Sequence, residues 1–211
     1  VACDRFRRWR INGIPMASFA DIHLDSGIAR GIQRGDRRAQ AVAYRLMSPT
    51  IMGMAVRILQ DEGLAQEVVQ DTFVELIDKA HTLKDPAAVV AWVRRVAVNH
   101  CYMRLRSPWH KRRSPDPEVP EQLDDANGDE RLQGYRDMER ALAVLPAETR
   151  LVIWLHDVEG YTHREIGELT GQTASYSKSQ LARGYGKLTQ LLRGNEDDGT
   201  EADTVRPACS P

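Results

Sequence analysis

The chain has 211 residues, a formal net charge of −1 and an apolar content of 42%. These values suffice for one large or two small domains, and the near-neutral charge gives no global signal for nucleic acid. Three widely separated cysteines exclude a disulfide framework and zinc-ligand spacing, which favours a reducing, cytoplasmic location. No apolar stretch approaches the roughly 18 residues of a membrane span, so no direct membrane insertion is expected.

Apolar residues recur at spacings of three and four along most of the chain, which predicts an all-α fold. Helices are predicted over residues 20–33, 36–47, 50–60, 64–81, 86–106, 131–145, 147–158, 162–170 and 174–193. Pro49 is expected at the start of the third helix, where its missing N–H costs little. Residues 20–106 then form one helical domain and residues 131–193 a second, smaller one. Residues 1–19 are expected to be a disordered leader.

Charge is strongly segregated between the two predicted domains. Residues 86–115 contain seven basic and no acidic side chains, whereas residues 116–130 contain seven acidic and no basic ones. With four prolines over residues 107–130, this part of the chain is predicted to be a flexible acidic linker. Residues 194–211 are predicted to be an acidic, disordered tail.

The predicted helix 64–81 has two contrasting sides. Its apolar stripe comprises Leu64, Val68, Val69, Thr72, Phe73, Leu76 and Ile77. Its acidic side, with one valine, comprises Glu67, Gln70, Asp71, Val74, Glu75 and Asp78. Such a side is either a docking surface for a basic partner helix or an ordinary solvated surface.

The predicted helix 86–106 combines a core side with a basic, aromatic side. Val89, Val93, Val96 and Ala97 point to the core. The opposite side carries Trp92, Arg95, Asn99 and Arg106, and Arg94 lies on its flank. Aromatic, guanidinium and amide groups on one surface can stack on bases, hold phosphates and read base edges. The alternative is a packed tryptophan beside a solvated basic face.

Residues 145–193 have the outline of a helix-turn-helix, because a short helix and a glycine turn precede a basic helix. Within residues 174–193, Lys178, Arg183, Lys187 and Arg193 occur without any acidic residue. A cationic helix of this kind suits the DNA major groove, although it also fits a solvated surface.

Evidence for an enzyme is weak. Residues 175–178 match the Ser-x-x-Lys nucleophile pattern, but the Ser-Asp-Asn and Lys-Thr-Gly companions are absent. The chain lacks a Gly-rich phosphate loop and a His-Glu-x-x-His motif, and its six histidines are scattered. We therefore expect no catalytic residue, metal, cofactor or small-molecule substrate.

Two sets of motifs occur in the order and spacing of one protein family. The first set is Glu67-Val68-Val69-Gln70-Asp71-Thr72-Phe73, Trp92-Val93-Arg94-Arg95-Val96-Ala97-Val98-Asn99 and Arg104-Leu105-Arg106. The second is Leu145-Pro146, Arg150, Asp157-Val158-Glu159-Gly160-Tyr161-Thr162, Glu165-Ile166, Gly171 and Lys178-Ser179-Gln180-Leu181-Ala182-Arg183. Over residues 20–193 the chain resembles the extracytoplasmic-function group of the sigma-70 family, the promoter-recognition subunits of bacterial RNA polymerase.

The resemblance implies an all-α protein with a region 2 bundle over 20–106 and a region 4 helix-turn-helix over 131–193. It also implies an alternative initiation factor for a stress or envelope response. Its partners would be core RNA polymerase, promoter DNA and an anti-sigma factor.

Site residues follow from the same resemblance, position by position. Contacts with core polymerase are assigned to Glu67, Gln70, Asp71 and Val74. Contacts with minus-ten DNA are assigned to Trp92, Arg94, Arg95, Asn99, Arg104 and Arg106, and the loop 82–88 would pocket a flipped base. Contacts with minus-thirty-five DNA are assigned to Tyr176, Lys178, Ser179 and Arg183.

The second motif set departs from the family pattern at Gly167, Gln172, Tyr176, Ser177 and Gln180. In addition, Gly184 and Gly186 lie inside the last helix, where each costs about 1 kcal/mol relative to alanine. Either Tyr176 fills the resulting space, or the second domain is less stable and is ordered by polymerase.

Two other functions are compatible with parts of the sequence. A free-standing helix-turn-helix regulator would bind duplex DNA without polymerase and with a marked salt dependence. A hydrolase would use Ser175 and Lys178. The motifs in 64–81 and 86–106 favour the initiation factor, because a free regulator does not need both.

Overall fold

The computed structural model describes residues 18–107 and 139–197, with side chains through residue 190. Both parts consist of helices and turns, without a strand among the described residues. The predicted all-α class is therefore confirmed. The predicted linker, apart from Ser107, lies outside the described residues, as do residues 1–17 of the predicted leader and 198–211 of the predicted tail. The prediction of disorder is wrong for Ser18 and Phe19, which are buried at a capped 3-10 turn, and for residues 194–197, which continue the last helix.

The first part contains four α-helices, which we label α1 to α4, and the second contains α5 to α7. Their bounds are Ser26–Gln33, Arg37–Leu59, Glu62–Lys79, Val89–Arg106, Ala147–Ile153, His163–Thr170 and Ala174–Asp197. Short 3-10 turns cover Phe19–Asp21, Ala80–Thr82 and Pro86–Ala88, and a π-helical segment, Trp154–Val158, continues α5. Residues 139–143 form a further helical turn.

The predicted break between helices 36–47 and 50–60 is wrong, because α2 runs continuously from Arg37 to Leu59 with Pro49 inside it. An internal proline costs about 3 kcal/mol through a lost hydrogen bond and a steric clash. A buried stripe through the proline segment offsets that cost. It comprises Ala39, Ala43, Met47, Ile51, Met54, Ala55 and Ile58, each at most 7% exposed.

The predicted helix 20–33 is also interrupted. Ser18 and Asp21 form a reciprocal capping box around a short 3-10 turn that buries Phe19. Asp25 then caps α1, its carboxylate accepting from the N–H groups of Gly27 at 2.7 Å and Ile28 at 3.3 Å. Two local N-caps so close together end the first turn and start a new helix.

The core of the first domain lies between α2, α3 and α4. Val89, Val93, Val96 and Ala97 face it, as the sequence predicts. On α3, Val68, Val69, Thr72, Phe73 and Leu76 are also buried. Ile77 was expected in this stripe, but its side chain is 56% exposed because α2 and α4 cover only the other side of α3.

The second domain accommodates its departures from the family pattern by close packing and hydrogen bonds. Ser177 is fully buried with its Oγ 3.0 Å from His163 Nδ1, and buried Gln180 accepts from the Thr149 hydroxyl at 2.7 Å. Tyr176 donates its hydroxyl proton to the Glu148 carboxylate. These contacts favour the first of the two alternatives, in which Tyr176 and its neighbours fill the space.

The two domains contact each other, since their buried residues form one hydrophobic cluster. Arg150 of α5 donates from Nε to the Ile58 carbonyl of α2 at 3.0 Å. Arg57 of α2 lies 2.9 Å from Glu139 and stacks over the ring of Trp154, 5.4 Å from its centroid. The carboxyl end of α2 is thus part of the core of the second domain.

The two helical glycines of α7 differ in their surroundings, which yields a matched test. A Cβ at Gly184 would lie 2.5 Å from Ile153 Cδ1 and 2.8 Å from Thr149 Cγ2, whereas one at Gly186 meets nothing within 4 Å. Gly186→Ala should therefore stabilise the fold by up to about 1 kcal/mol. The free energy of unfolding of Gly184→Ala should be lower than that of Gly186→Ala by about 1–3 kcal/mol, because the added methyl group overpacks the contact with α5. Thermal unfolding of the full chain measures both, and equal stabilisation would contradict the close approach of α7 and α5.

Candidate nucleic-acid and partner interfaces

The outward side of α4 collects the expected aromatic, basic and amide groups. Trp92 is half-buried and packs against the core, while Arg95 and Arg106 are exposed and Asn99 is half-buried. The Arg106 guanidinium lies 5.6 Å from the centroid of the Tyr102 ring. Met103, at 65% exposure, belongs to the same side, although no contact was predicted for it. This surface has groups for stacking and for holding phosphates.

The loop before α4 is fixed at both ends. Asp85 accepts from the Ala87 N–H at 2.9 Å and so caps the 3-10 turn that begins with Pro86. On the other side, the Gln33 side-chain amide of α1 donates to the Leu83 carbonyl at 2.7 Å. The loop 82–88, which is expected to bind a flipped base in a pocket, is thus held in place by hydrogen bonds to its backbone.

Arg94 is held by the second domain. Its Nη1 donates to the Glu159 carbonyl at 3.1 Å, and its guanidinium stacks on the Tyr161 ring at 4.4 Å from the centroid. The Glu159 side chain is itself buried, and that burial raises its pKa, with the Arg94 charge opposing the rise. Ser18 donates towards the Glu159 carboxylate at 3.4 Å. In this conformation the Arg94 guanidinium therefore contacts the second domain in place of the expected phosphate.

Tyr102 is a second contact between α4 and the second domain. Its hydroxyl donates to the Thr170 carbonyl, at the end of α6, at 2.6 Å. Contacts of Tyr102, Glu159 and Tyr161 between the two domains were not predicted from the sequence. Glu159 and Tyr161 lie in the family motif at residues 157–162, but their partner Arg94 is about 65 residues away along the chain, so spacing alone could not reveal the contact.

Arg104, another expected minus-ten residue, faces α3 instead of the outward side. Its Nη2 lies 2.6 Å from the Asp71 carboxylate, and its Nε lies 3.4 Å from Glu67 Oε2. One turn earlier on α4, His100 Nε2 lies 3.1 Å from Glu75 Oε2. The acidic side of α3 is thus paired along one edge with α4.

The remaining outward side of α3 is apolar and amide in character. Gln70 is exposed, and Val74 and Ile77 are 65% and 56% exposed. Gln70 also lines an open cleft of about 400 Å³ between α2 and α3. Its other lining residues are Tyr44, Ser48, Pro49, Met52, Gln66 and Val69. Two exposed branched apolar side chains beside a cleft are suited to docking a partner helix.

The helix-turn-helix begins with a capping box at α6. Thr162 Oγ1 accepts from the Glu165 N–H, and the Glu165 carboxylate accepts from the Thr162 N–H at 2.8 Å. These Thr162 hydrogen bonds lower the pKa of Glu165. Gly171 ends α6 in the left-handed region at φ +63°, and a Cβ at Gly167 would lie 2.7 Å from the Gln172 carbonyl oxygen. Both glycines are therefore required by the tight turn.

Three of the four expected minus-thirty-five residues are exposed on α7, namely Lys178, Ser179 and Arg183. Tyr176 is half-buried, and partial burial together with Glu148 raises its pKa to about 12. Tyr176 therefore fixes α7 against α5, while the other three side chains remain available to a ligand.

Within residues 18–107 and 139–197, no cluster of three or more His, Cys, Asp or Glu side chains is arranged for a metal ion. Within the same ranges, no helix is both long and apolar enough to cross a membrane. Cys101 is fully buried, and burial raises the pKa of its thiol to about 12.

Two family models match the chain, one in each half. Residues 43–111 match sigma-70 region 2, and residues 135–188 match sigma-70 region 4. The first match spans most of α2 to α4, and the second spans the helix-turn-helix.

The chain is similar to sigma factors over most of its length. The chain is 30% identical to the ECF RNA polymerase sigma factor RpoE of Cereibacter sphaeroides, covering 74% of this chain and 88% of that one. It is 25% identical to the RNA polymerase sigma-H factor of Pseudomonas aeruginosa, covering 80% and 94%. The fold is similar to that of CnrH, solved with the cytosolic domain of CnrY, at a TM-score of 0.50, 23% identity, and coverage of 81% and 98%. The chain therefore belongs to the extracytoplasmic-function group of the sigma-70 family of RNA polymerase sigma factors.

Proposed function

We propose that this protein binds core RNA polymerase and directs it to specific promoters as an alternative initiation factor, in a stress or envelope response. The observation that carries the proposal is the presence of two different surfaces on one chain. One is the exposed side of α3 with Gln70 and Val74, and the other is the basic helix α7 with Lys178, Ser179 and Arg183. A DNA-binding regulator that acts alone has no use for the first.

In this proposal the protein supplies binding and positioning, and the polymerase supplies catalysis. Glu67, Gln70, Asp71 and Val74 contact core polymerase, and the outward side of α4 engages the minus-ten strand. Lys178, Ser179 and Arg183 contact the minus-thirty-five element, with α7 in the major groove. The protein acts in the cytoplasm with its polymerase, and an anti-sigma factor restrains it.

Run-off transcription tests the proposal. Purified core polymerase is incubated with fragmented genomic DNA, with and without this protein. We expect discrete new transcripts only when the protein is present, with common sequence elements upstream of their starts. Binding of duplex DNA by the protein alone, without new transcripts, would instead establish a free-standing regulator.

A single exposed side chain on α3 tests the polymerase interface. Val74→Glu places a charge in an apolar docking surface, where an unpaired charge is poorly tolerated, so core affinity should fall at least about tenfold. Met103→Glu is the matched control, since both side chains are 65% exposed. Met103 lies on α4, so its variant should bind core like the wild type.

Affinity is measured in the absence of DNA, for example by fluorescence anisotropy of the labelled protein. Wild-type affinity in Val74→Glu, or an equal loss in both variants, would contradict the assignment of the docking surface to α3.

Binding of the minus-ten strand by Arg94 requires that the second domain move away from α4. The Arg94 guanidinium already contacts the Glu159 carbonyl and the Tyr161 ring, so DNA competes with the second domain for the same group. Weakening another contact of that interface should therefore favour DNA binding by the free protein.

Tyr102→Phe provides this test, because it removes the hydroxyl that donates to Thr170 and keeps the aromatic ring. Loss of one hydrogen bond of about 1 kcal/mol should shift the equilibrium towards the open form about fivefold. We expect lower energy transfer between dyes on the two domains and tighter binding of a single-stranded minus-ten oligonucleotide.

Tyr44→Phe, which removes a phenol hydroxyl from a 48% exposed side chain on α2, is the control and should leave both readouts unchanged. If Tyr102→Phe leaves energy transfer and oligonucleotide affinity at the wild-type values, the competition does not exist.

A further inference from the structure

We infer that Arg104 is a positioning residue of the polymerase-docking surface and does not contact the phosphates of the minus-ten strand. This inference rests on the proposed function of α3 and reassigns a residue that family position places with the DNA contacts. It follows from which helix the guanidinium faces, from its burial and from the charges around it.

The Arg104 side chain points towards α3. Its Nη2 lies 2.6 Å from Asp71 Oδ2 and its Nε lies 3.4 Å from Glu67 Oε2. Its Nη1 lies 3.4 Å from the His100 carbonyl of its own helix. The guanidinium is thus hydrogen-bonded to Asp71 and to the His100 carbonyl, while its Nε has no hydrogen-bond partner among the described residues and forms only a longer ion pair with Glu67. Both carboxylates are assigned to core polymerase.

The pairing of Arg104 with Asp71 belongs to a regular series of contacts between α3 and α4. Glu67, Asp71 and Glu75 follow one another at four-residue spacing and form one stripe on α3. His100 and Arg104 have the same spacing on α4, and His100 lies 3.1 Å from Glu75. Two rows of complementary groups therefore face each other where α3 contacts α4.

Arg104 is more buried than the two carboxylates that it contacts. The Arg104 side chain is only 15% exposed, whereas those of Asp71 and Glu67 are 50% and 60% exposed. The cation thus lies beneath the two carboxylates, which keep part of their oxygen surface free for a partner. A phosphate approaching Arg104 would meet these two anions first.

The consequence for binding is one of preorganisation. Arg104 restricts the rotamers of Glu67 and Asp71 and holds them beside Gln70 and Val74. A partner with basic side chains then meets carboxylates that are already ordered, which reduces the entropy lost on binding. Arg95 and Arg106, which are exposed on α4, remain the cations available to DNA.

Two readouts separate positioning from phosphate contact. The first is the affinity of the full chain for core polymerase without DNA. The second is the salt dependence of promoter binding by the holoenzyme at saturating core, where each lost phosphate contact lowers the slope by about 0.7–0.9. Arg104→Gln should lose about fivefold in core affinity and keep the wild-type slope. Arg106→Gln, the matched control, should keep core affinity and lose slope.

Two further variants exclude a trivial loss of fold. Arg104→Lys retains the charge but cannot span both carboxylates, so we expect a smaller loss of core affinity with an unchanged melting temperature. Asp71→Asn combined with Arg104→Gln should lose less than the sum of the single variants, because Arg104 acts through Asp71.

The inference is overturned if Arg104→Gln binds core like the wild type, whether or not the salt slope changes. It is also overturned if the two single losses are additive. Failure of the wild-type protein to bind core would contradict the proposed function itself and is seen before any variant is compared.

Discussion

The buried guanidinium of Arg150 is the interaction on which the arrangement of the two halves depends. It is 5% exposed and donates to the carbonyl oxygens of Ile58, Leu142, Ala143 and Leu145. Burial lowers its pKa to about 10, so it remains charged at neutral pH. Ile58 belongs to α2, whereas the other three carbonyls belong to the segment before α5. Moving the second domain away from α2 would therefore remove one acceptor of a buried charge, which costs free energy.

The contact between α2 and the second domain determines which neighbour each basic residue of α4 meets. With the second domain seated against α2, Arg94 and Tyr102 reach its loops, and Arg95 and Arg106 face outwards. On the side of α4 that packs against α3, His100 and Arg104 pair with carboxylates of α3. A helix with a single basic motif thus serves three neighbours, and the helical rotation of each residue decides which neighbour it meets.

The second domain shows how a departure from a family pattern is compensated locally. Gly167 admits the Gln172 carbonyl and Gly184 admits Ile153, so α6, α7 and α5 approach closely. Polar Ser177 and Gln180 take buried positions because His163 and Thr149 satisfy them. Hydrogen bonds within a close-packed domain thereby replace apolar contacts, at little net cost when every buried polar group has a partner.

The sequence by itself determined the helical class, the order of the motifs and most helix ends, because caps, turn glycines and apolar periodicity act within a few residues. Asp61, Asp85 and Thr162 accept from backbone N–H groups two or three residues later, so local spacing reveals them. Only the tertiary structure decided that α2 continues through Pro49, that Ile77 is exposed, and that Arg94 and Arg104 face protein groups. Each depends on residues brought together from distant parts of the chain, whose packing and pairing energies outweigh local preference.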